Sequence, residues 1–222
     1  MCVLLASYPR SGVTFLRLVI EQLYGIPTWT LYRENPDPAK VFDGDRHWPR
    51  TEGPGLPVNF IKTHEVGRPE PGQRTIHLVR DGRDATVSYA HFLQTYYRKA
   101  YGGISIDDIS RQIVEGDAPL GSWADHTTTW AKRDCVRILY DDLVSHPADT
   151  VAYAVAIVAP SLAPASGTKI ATFGELQTRS KHFFRRGRGG GWRAEWSAEL
   201  QMLFDKFSHD AMRAIEREPQ YA

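Results

Sequence analysis

Short apolar runs alternate along the chain with stretches in which apolar residues recur every three or four positions. The short runs predict buried β-strands, and the longer stretches predict amphipathic helices. This alternation predicts a three-layer α/β fold, in which helices flank a mainly parallel central sheet. The predicted strands are residues 3–6, 58–62, 75–79 and 136–140, and the predicted helices are residues 14–24, 83–98, 122–132, 147–158, 171–178 and 197–216.

Several helix boundaries carry local signals of their own. Ser122 is placed to cap one predicted helix, and Pro147 suits the first position of another. Asp81 and Asp84 have the spacing of a capping box at the start of a third. These signals support the helix boundaries that the apolar pattern indicates.

Two segments lack a regular pattern. Residues 27–57 are rich in proline and aromatic residues, and residues 181–193 are cationic and rich in glycine. Irregular segments of this length are usually functional or mobile. The chain has 222 residues and shows neither an internal repeat nor a domain boundary, so a single domain over residues 1–222 is expected.

Composition narrows the class of protein. A formal net charge of +1 argues against a dedicated nucleic-acid-binding domain, which is usually strongly basic. The two cysteines, Cys2 and Cys135, lie in apolar runs and form neither a disulfide framework nor a zinc site. No apolar stretch approaches the roughly 20 residues of a membrane helix. The N-terminus lacks the features of a signal peptide, so a cytoplasmic protein is expected.

Residues 7–17 join the first predicted strand to the first predicted helix and read Ser-Tyr-Pro-Arg-Ser-Gly-Val-Thr-Phe-Leu-Arg. The loop holds a cation, Arg10, two hydroxyl groups, on Ser11 and Thr14, and Gly12, which allows the backbone to approach a ligand. Such a loop at a helix N-terminus predicts an anion-binding site. It is not a Walker A loop, because Gly-x-x-x-x-Gly-Lys-Ser/Thr occurs nowhere in the chain. Alternatively, Ser11 or Thr14 is a plain helix cap.

Lys-Thr-His follows at the end of the second predicted strand. Lys62 and His64 are two residues apart on an extended segment, so their side chains point to the same side. The carboxyl ends of parallel strands form the ligand crevice of an open α/β sheet. A histidine there has a suitable pKa for taking a proton from a hydroxyl group. Alternatively, the pair is a surface lysine and a capping histidine.

A third candidate segment, residues 80–92, reads Arg-Asp-Gly-Arg-Asp-Ala-Thr-Val-Ser-Tyr-Ala-His-Phe. Arg80 ends a predicted strand, where its guanidinium can contact a phosphate with two hydrogen bonds. Ser88 lies about two turns into the following helix and can add a hydroxyl donor. Alternatively, the Ser88 hydroxyl bonds back to the carbonyl group of Asp84.

These three segments resemble motifs of the sulfotransferases that use 3′-phosphoadenosine 5′-phosphosulfate (PAPS), in their bacterial form. The first is similar to the 5′-phosphosulfate loop, Tyr-Pro-Lys/Arg-Ser-Gly-x-Thr-Trp-Leu. The second is similar to the Lys-Thr-His that carries the catalytic base of the family. Residues 80–92 are similar to the 3′-phosphate motif, Arg-x-x-Arg/Lys-Asp-x-x-x-Ser-Tyr-x-x-Phe. The resemblance implies a P-loop-like fold.

Further segments match the family in the same order. Tyr-Asp-Asp-Leu from Tyr140 is similar to Tyr-Glu-Asp-Leu, and Thr172 with Phe173 falls where the family stacks a ring on adenine. Residues 184–193 resemble the C-terminal Arg-Lys-Gly-x-x-Gly-x-Trp-Lys segment that clamps the 3′-phosphate. Residues 181–193 are expected to become ordered on nucleotide binding, because their glycines raise the entropic cost of ordering and their arginines repel one another until an anion binds. The alternatives are a strand-end tyrosine, a core phenylalanine and a flexible basic linker.

The resemblance implies an enzyme that transfers a sulfuryl group from PAPS to an acceptor hydroxyl group without a metal. His64 is the implied base, and Arg10 and Lys62 neutralise developing charge. Many animal members carry lysine at the position of Arg10, and arginine is unsuited to act as a general acid because it keeps its proton. The implied residues that bind PAPS, or its product 3′,5′-adenosine bisphosphate (PAP), are Arg10, Ser11, Gly12, Val13, Thr14, Phe15, Arg80, Ser88, Tyr140, Thr172, Phe173, Arg185, Arg186 and Gly187.

The expected acceptor is a small molecule, a sugar or a natural product, and neither nucleic acid nor a membrane is an expected partner. Residues 27–57 and 92–123 are expected to form the acceptor pocket, because both appear too irregular to be framework. A P-loop-type phosphotransferase and a non-catalytic PAP-binding module remain the alternatives. The aromatic residues that suit a ring-bearing acceptor are Trp29, Tyr32, Trp48, Tyr96, Tyr97 and Tyr101.

Overall fold

A parallel sheet forms the centre of the protein. The computed structural model describes residues 1–32, 55–67, 72–179 and 189–216. Within these ranges the sheet has five strands in the order β2-β3-β1-β4-β5, and all four neighbouring pairs are parallel. This confirms the predicted α/β class. The strands are β1 (Cys2–Ser7), β2 (Thr28–Thr30), β3 (Asn59–Thr63), β4 (Arg74–Val79) and β5 (Val136–Leu139).

Helices cover both faces of the sheet. Alternate residues of β1 enter different clusters: Val3 and Leu5 pack with α1, α6, α7 and α8, whereas Leu4 and Ala6 pack with Trp130 of α5. A further cluster joins α2, α4, α5 and α9. The three layers follow from this alternation. The helices are α1 (Val13–Tyr24), α2 (Gly82–Tyr96), α3 (Arg98–Tyr101), α4 (Ile106–Glu115), α5 (Trp123–Ala131), α6 (Tyr140–Ser145), α7 (Pro147–Val158), α8 (Phe173–Arg179) and α9 (Ala198–Glu216).

The local helix signals have mixed outcomes. Ser122 caps α5 by accepting from the backbone N–H of Asp125, and Pro147 starts α7, as predicted. The predicted capping box at α2 is wrong. Asp81 caps this helix through the backbone N–H of Arg83, and the Asp84 carboxylate bonds to a distant loop instead.

Two regions that were expected to be irregular, residues 27–57 and 92–123, contain regular structure that the sequence analysis missed. Residues 27–57 include the short edge strand β2. Residues 92–123 were wrongly expected to be unsuitable as framework, because they include α4, whose Ile109 and Ile113 are completely buried. Ser105 caps α4 and Gly116 ends it with a positive φ of 89°, so the boundary signals are present in the sequence.

Some predicted features have a different outcome or lie outside the described ranges. Tyr140 begins α6 instead of ending β5. Cys2 and Cys135 are both free and only partly buried. The described residues exclude part of residues 27–57 and most of residues 181–193, the segment expected to become ordered on nucleotide binding. The predicted site residues that therefore lie outside the described ranges are Trp48, Arg185, Arg186 and Gly187.

Candidate functional site

The β1–α1 loop turns sharply before the first helix. The backbone N–H of Ser11 donates to the carbonyl group of Tyr8 over 3.2 Å. Arg10 is a non-glycine residue with a positive φ of 65°, a strained conformation that is concentrated at functional sites. Gly12 occupies the N-cap position with a φ of 102° and no side-chain cap, so the interpretation of Ser11 or Thr14 as the cap is wrong.

This loop has the properties of an anion site. The first N–H groups of a helix have no partner within the helix, and the positive end of the dipole lies beside them. The Ser11 hydroxyl is buried and has no hydrogen-bond partner among the described residues. A buried polar group of this kind usually has a partner, so a ligand oxygen fits there. The side chains of Val13 and Phe15 are buried, and Thr14 is partly buried.

Tyr140 and Gly12 are in close contact. A Cβ atom on Gly12 would lie 2.7 Å from the tyrosine ring, so only glycine fits. The Arg80 guanidinium lies 4.4 Å from the centroid of the same ring. Phe173 meets Tyr140 edge to face at 6.4 Å and Phe15 at 6.0 Å. Tyr140 and Phe173 are therefore at the predicted nucleotide site.

Two arginines, Arg10 and Arg80, are linked by a hydrogen bond at this loop. Arg80 donates from Nη1 to the backbone carbonyl of Arg10 over 3.1 Å, and Arg10 donates from Nε to the Ser88 hydroxyl over 3.4 Å. The Arg10 guanidinium also lies 5.4 Å from the centroid of the Phe92 ring. Nε of Arg80 is buried without a hydrogen-bond partner among the described residues. This arrangement concentrates positive charge and unused donors, which suits a phosphate.

His64 follows β3 at the same edge of the sheet. Its Nδ1 lies 2.7 Å from the backbone carbonyl of Ser7, at the end of β1. A carbonyl oxygen can only accept, so Nδ1 carries the proton and Nε2 is left as an acceptor in the neutral ring. Burial lowers the pKa of His64 well below its usual value, and the nearby Lys62 ammonium lowers it further. His64 is therefore neutral at pH 7.

Lys62 lies two residues before His64 and is 95% buried, with 5% of its surface exposed. Its Nζ is 5.7 Å from the centroid of the Tyr32 ring. The parallel register pairs Lys62 with Leu5 of β1 and with Thr30 of β2. Lys62 and His64 both contact the Tyr32 ring, which agrees with the predicted placement of their side chains on one side of the strand.

Those predicted site residues that the structure describes thus converge, with the exception of Thr172. The order β3-β1-β4 places the ends of three neighbouring parallel strands, and the groups of His64, Arg10 and Arg80, at one edge. Thr172 instead is exposed and caps α8. Its hydroxyl accepts from the backbone N–H of Glu175 over 3.2 Å, and its own N–H donates to the Glu175 carboxylate over 2.8 Å.

The sequence analysis missed the role of Asp84. This buried carboxylate accepts hydrogen bonds from the backbone N–H groups of Gly190, over 2.7 Å, and Gly191, over 2.9 Å. The ring of the next residue, Trp192, contacts the guanidiniums of Arg83 and Arg193, each 4.7 Å from its centroid. Asp84 thereby attaches the end of the glycine-rich segment to α2. No local pattern pairs residues so distant in sequence.

Tyr32 was assigned to the acceptor wall, and the structure places it against His64. Its hydroxyl accepts a hydrogen bond from the backbone N–H of His64 over 2.6 Å. The two rings stack with centroids 5.7 Å apart and an angle of 24° between their planes. The aromatic character of residues 27–57 indicated a site but not this contact.

A family profile and the relatives of this chain among known proteins all point to sulfotransferases. The family profile described as "Sulfotransferase domain" matches residues 59–153. Sulfotransferase 1 family member D1 of Rattus norvegicus is 20% identical over 249 residues, which cover 96% of this chain and 83% of the relative. Sulfotransferase 1E1 of Cavia porcellus is 22% identical over 248 residues, which cover 94% of this chain and 82% of the relative. Both relatives align along nearly the whole chain.

Solved structures share the fold. Mouse sulfotransferase SULT7A1 complexed with PAP is 22% identical, with a TM-score of 0.67 over 95% of this chain and 83% of that one. Retinol dehydratase in a complex with retinol and PAP is 18% identical, with a TM-score of 0.66, and the match covers 100% of this chain and 83% of the retinol dehydratase chain. Within the described residues, no helix is long and apolar enough to cross a membrane. Residues 59–153 thus match the sulfotransferase domain, and the chain shares the P-loop-like fold of the solved sulfotransferases. Together with the aligned relatives, these findings support a PAPS-dependent sulfotransferase.

Proposed function

We propose that residues 1–222 form a single sulfotransferase domain that moves a sulfuryl group from PAPS to the hydroxyl group of a small-molecule acceptor, with His64 as the general base. The observation that carries this proposal is the 2.7 Å contact between Nδ1 of His64 and the Ser7 carbonyl, beside the anion-binding loop. It fixes the ring in the form that a base requires. The acceptor class includes sugars and natural products.

His64 has the protonation state that the proposed role needs. With Nδ1–H donated to Ser7, the lone pair of Nε2 is available for the acceptor proton. Burial is the main cause of the lowered pKa, so the neutral form persists at pH 7. An acceptor hydroxyl that loses its proton to Nε2 becomes a stronger nucleophile.

The residues at the sheet edge fit PAPS. When bound, PAPS supplies a sulfuryl group whose bond to a 5′-phosphate oxygen breaks as the acceptor oxygen attacks. The Ser11 hydroxyl, which has no hydrogen-bond partner in the described part of the chain, and the N–H groups after Gly12 would hold the 5′ end. Arg80 and Ser88 would hold the 3′-phosphate together with Arg185, Arg186 and Gly187, which lie outside the described residues.

The remaining nucleotide contacts are assigned to the aromatic pair beside Gly12. Tyr140 and Phe173 present rings to each other edge to face, and the adenine would lie against them. Thr172 remains in the proposal only as a neighbour of Phe173, because its hydroxyl already caps α8. Val13, Thr14 and Phe15 would contribute through their backbone.

Arg10 and Lys62 would stabilise charge during transfer. Arg10 lies near Ser88, and the charges of Arg10 and Lys62 both lower the pKa of His64, which supports a role for them beside the proposed base. Fixed positive groups beside developing negative charge are among the largest contributions to catalysis. Arg10 would act by charge and hydrogen bonding, since a guanidinium keeps its proton at neutral pH.

The acceptor would bind against aromatic surfaces near His64. Phe92 contacts Tyr96 at 4.9 Å and Tyr97 at 5.9 Å, and Tyr96 and Tyr97 are 38% and 50% exposed. The Tyr32 ring lies against His64. Solved complexes of retinol dehydratase contain retinol or androsterone together with PAP, and both are small hydroxyl-bearing molecules.

A transfer assay tests the proposal. The protein is incubated with ³⁵S-labelled PAPS and a panel of phenols, sugars and peptide natural products, and labelled products are separated. We expect at least one sulfated product and release of PAP in equal amount. PAP binding without any sulfated product would favour the non-catalytic module, and nucleoside-triphosphate turnover with magnesium would favour a phosphotransferase. Either result would contradict the proposal.

A further inference from the structure

We propose that Tyr32 is a positioning residue that holds His64 in its working orientation, an inference that rests on the proposed function of His64 as the base. Tyr32 contacts His64 in two independent ways. Its hydroxyl accepts from the His64 backbone N–H over 2.6 Å, and its ring stacks on the imidazole at 5.7 Å. Each contact restrains a different part of the histidine.

The hydrogen bond lies where the sheet no longer supplies one. β2 ends at Thr30, and the backbone N–H of Leu31 makes the next bond to β3 by donating to the carbonyl group of Lys62 over 3.2 Å. His64 comes one residue after the end of β3, beyond the regular ladder. The Tyr32 hydroxyl therefore replaces the backbone acceptor that a longer β2 would have provided, and it fixes the backbone of His64.

The stacked ring restrains the side chain. The Ser7 carbonyl already holds Nδ1 in the plane of the imidazole, and the Tyr32 ring covers a face of it at an angle of 24°. A hydrogen bond in the plane and a ring against the face together leave little freedom of rotation about the His64 side-chain bonds. The direction of Nε2, which is the proposed proton acceptor, is then set by Ser7 at the end of β1 and by Tyr32 just after β2.

The same ring faces Lys62. The Nζ atom is 5.7 Å from the centroid of the Tyr32 ring, which is within the range of a cation–π contact. Tyr32 thus touches both functional residues of the Lys-Thr-His segment. The electron-rich face of the ring also favours the positive charge that the imidazole acquires when it takes a proton. These contacts give the short edge strand β2 a function, because it brings Tyr32 to this point.

Kinetics of matched variants test the inference with the best acceptor from the panel. Tyr32→Phe removes the hydroxyl and keeps the ring, and Tyr32→Leu removes both. Tyr24→Phe is the control, since Tyr24 is a partly buried tyrosine at the far end of α1. Rates are divided by the number of PAP sites from calorimetric titration, so that loss of folded protein does not count as loss of kcat. If Tyr32→Leu does not fold, the kcat of Tyr32→Phe alone tests the inference.

We expect kcat per PAP site to fall about tenfold in Tyr32→Phe and about a hundredfold in Tyr32→Leu, with KM for PAPS unchanged, because a misplaced catalytic group costs rates of this order. In a His64→Ala background, Tyr32→Phe should cause no further loss. An unchanged kcat in Tyr32→Phe, a loss confined to the number of PAP sites, or an equal loss without His64 would overturn the inference. A wild-type rate in His64→Ala would instead overturn the proposed function. If His64→Ala has no measurable rate, the single variants decide the inference.

Discussion

Tyr140 lies so close to Gly12 that a Cβ atom on the glycine would come within 2.7 Å of the tyrosine ring. The contact joins the N-cap of α1 to the start of α6, beside the proposed nucleotide site. There are two reasons why this position needs glycine. The φ of 102° is unfavourable for other residues, and the ring leaves no space for a side chain.

Gly12→Ala should therefore impair both nucleotide binding and folding. We expect PAP affinity to fall at least tenfold, since the tyrosine ring or the loop must move. Gly25→Ala is a matched control, because Gly25 also has a positive φ, 63°, but open space around the added atom. It should cost about 1–2 kcal/mol of unfolding free energy from backbone strain alone and leave PAP affinity unchanged. Calorimetry and denaturant unfolding measure both effects, and equal PAP affinity in wild type and Gly12→Ala would contradict the close packing.

Arg80→Ala should remove much of the preference for a 3′-phosphate. The lost charge-assisted hydrogen bond is worth roughly 1.5–3 kcal/mol, so PAP should bind about 10- to 100-fold more weakly. Binding of adenosine 5′-monophosphate, which lacks that phosphate, should change far less. Arg74→Ala is the control, because Arg74 bonds to the Ile157 carbonyl on the exposed surface. The assignment of Arg80 fails if the wild type binds the two nucleotides equally.

Asp84→Asn should loosen the end of the glycine-rich segment. The carboxylate accepts from two backbone N–H groups, and hydrogen bonds to a charged partner contribute roughly 1.5–3 kcal/mol each. We expect the amides of Gly190 and Gly191 to exchange their hydrogens faster and the protein to unfold more easily. The exposed Asp117→Asn should change neither. Unaltered exchange at both glycines in Asp84→Asn would show that the carboxylate does not hold them.

His126 should make the fold sensitive to acid. The residue is 2% exposed, and burial lowers its pKa from 6.5 to about 3. Because the folded pKa lies below the unfolded value, the unfolded chain takes up the proton first as the pH falls. The stabilisation is therefore complete above about pH 6.5 and is lost progressively towards pH 3. Neighbouring His77 is also buried and has a lowered pKa, mainly through burial, so it adds to the effect.

Substitution of His126 measures how much this residue contributes to the loss of unfolding free energy in acid. Between pH 7 and pH 5, one such histidine should account for about 2 kcal/mol of lost unfolding free energy. His126→Phe should reduce the pH dependence by about this amount, whereas the exposed His209→Gln should not. Denaturant unfolding at the two pH values gives the comparison. Identical pH dependence in wild type and His126→Phe would contradict a histidine that is neutral in the fold.

The sequence predicted those parts of the site that depend on local order. Arg10, His64 and Arg80 each follow a short apolar run, and parallel strands bring such positions to one edge whatever the connections between them. The helix α4 was missed although its signals are local: Ser105 and Gly116 mark its ends, and its buried residues, among them Ile109 and Ile113, recur at helical spacing.

Long-range contacts were beyond the reach of pattern analysis. Asp84 has the spacing of a helix cap, and only the fold shows that its carboxylate meets Gly190. Tyr32 belongs to a proline-rich stretch whose short strand gives no periodic signal, and its contact with His64 depends on the register of β2 against β3. Tertiary packing overrides local propensity at such positions.

The direct test of the account is the rate of His64→Ala measured beside its PAP affinity. We expect kcat to fall about 10²- to 10⁴-fold, which is the usual contribution of a general base, while the Kd for PAP stays within about twofold of wild type. His209→Ala, an exposed histidine variant, should retain full activity. A His64→Ala enzyme that turns over at nearly the wild-type rate would remove His64 from the mechanism and contradict the central claim.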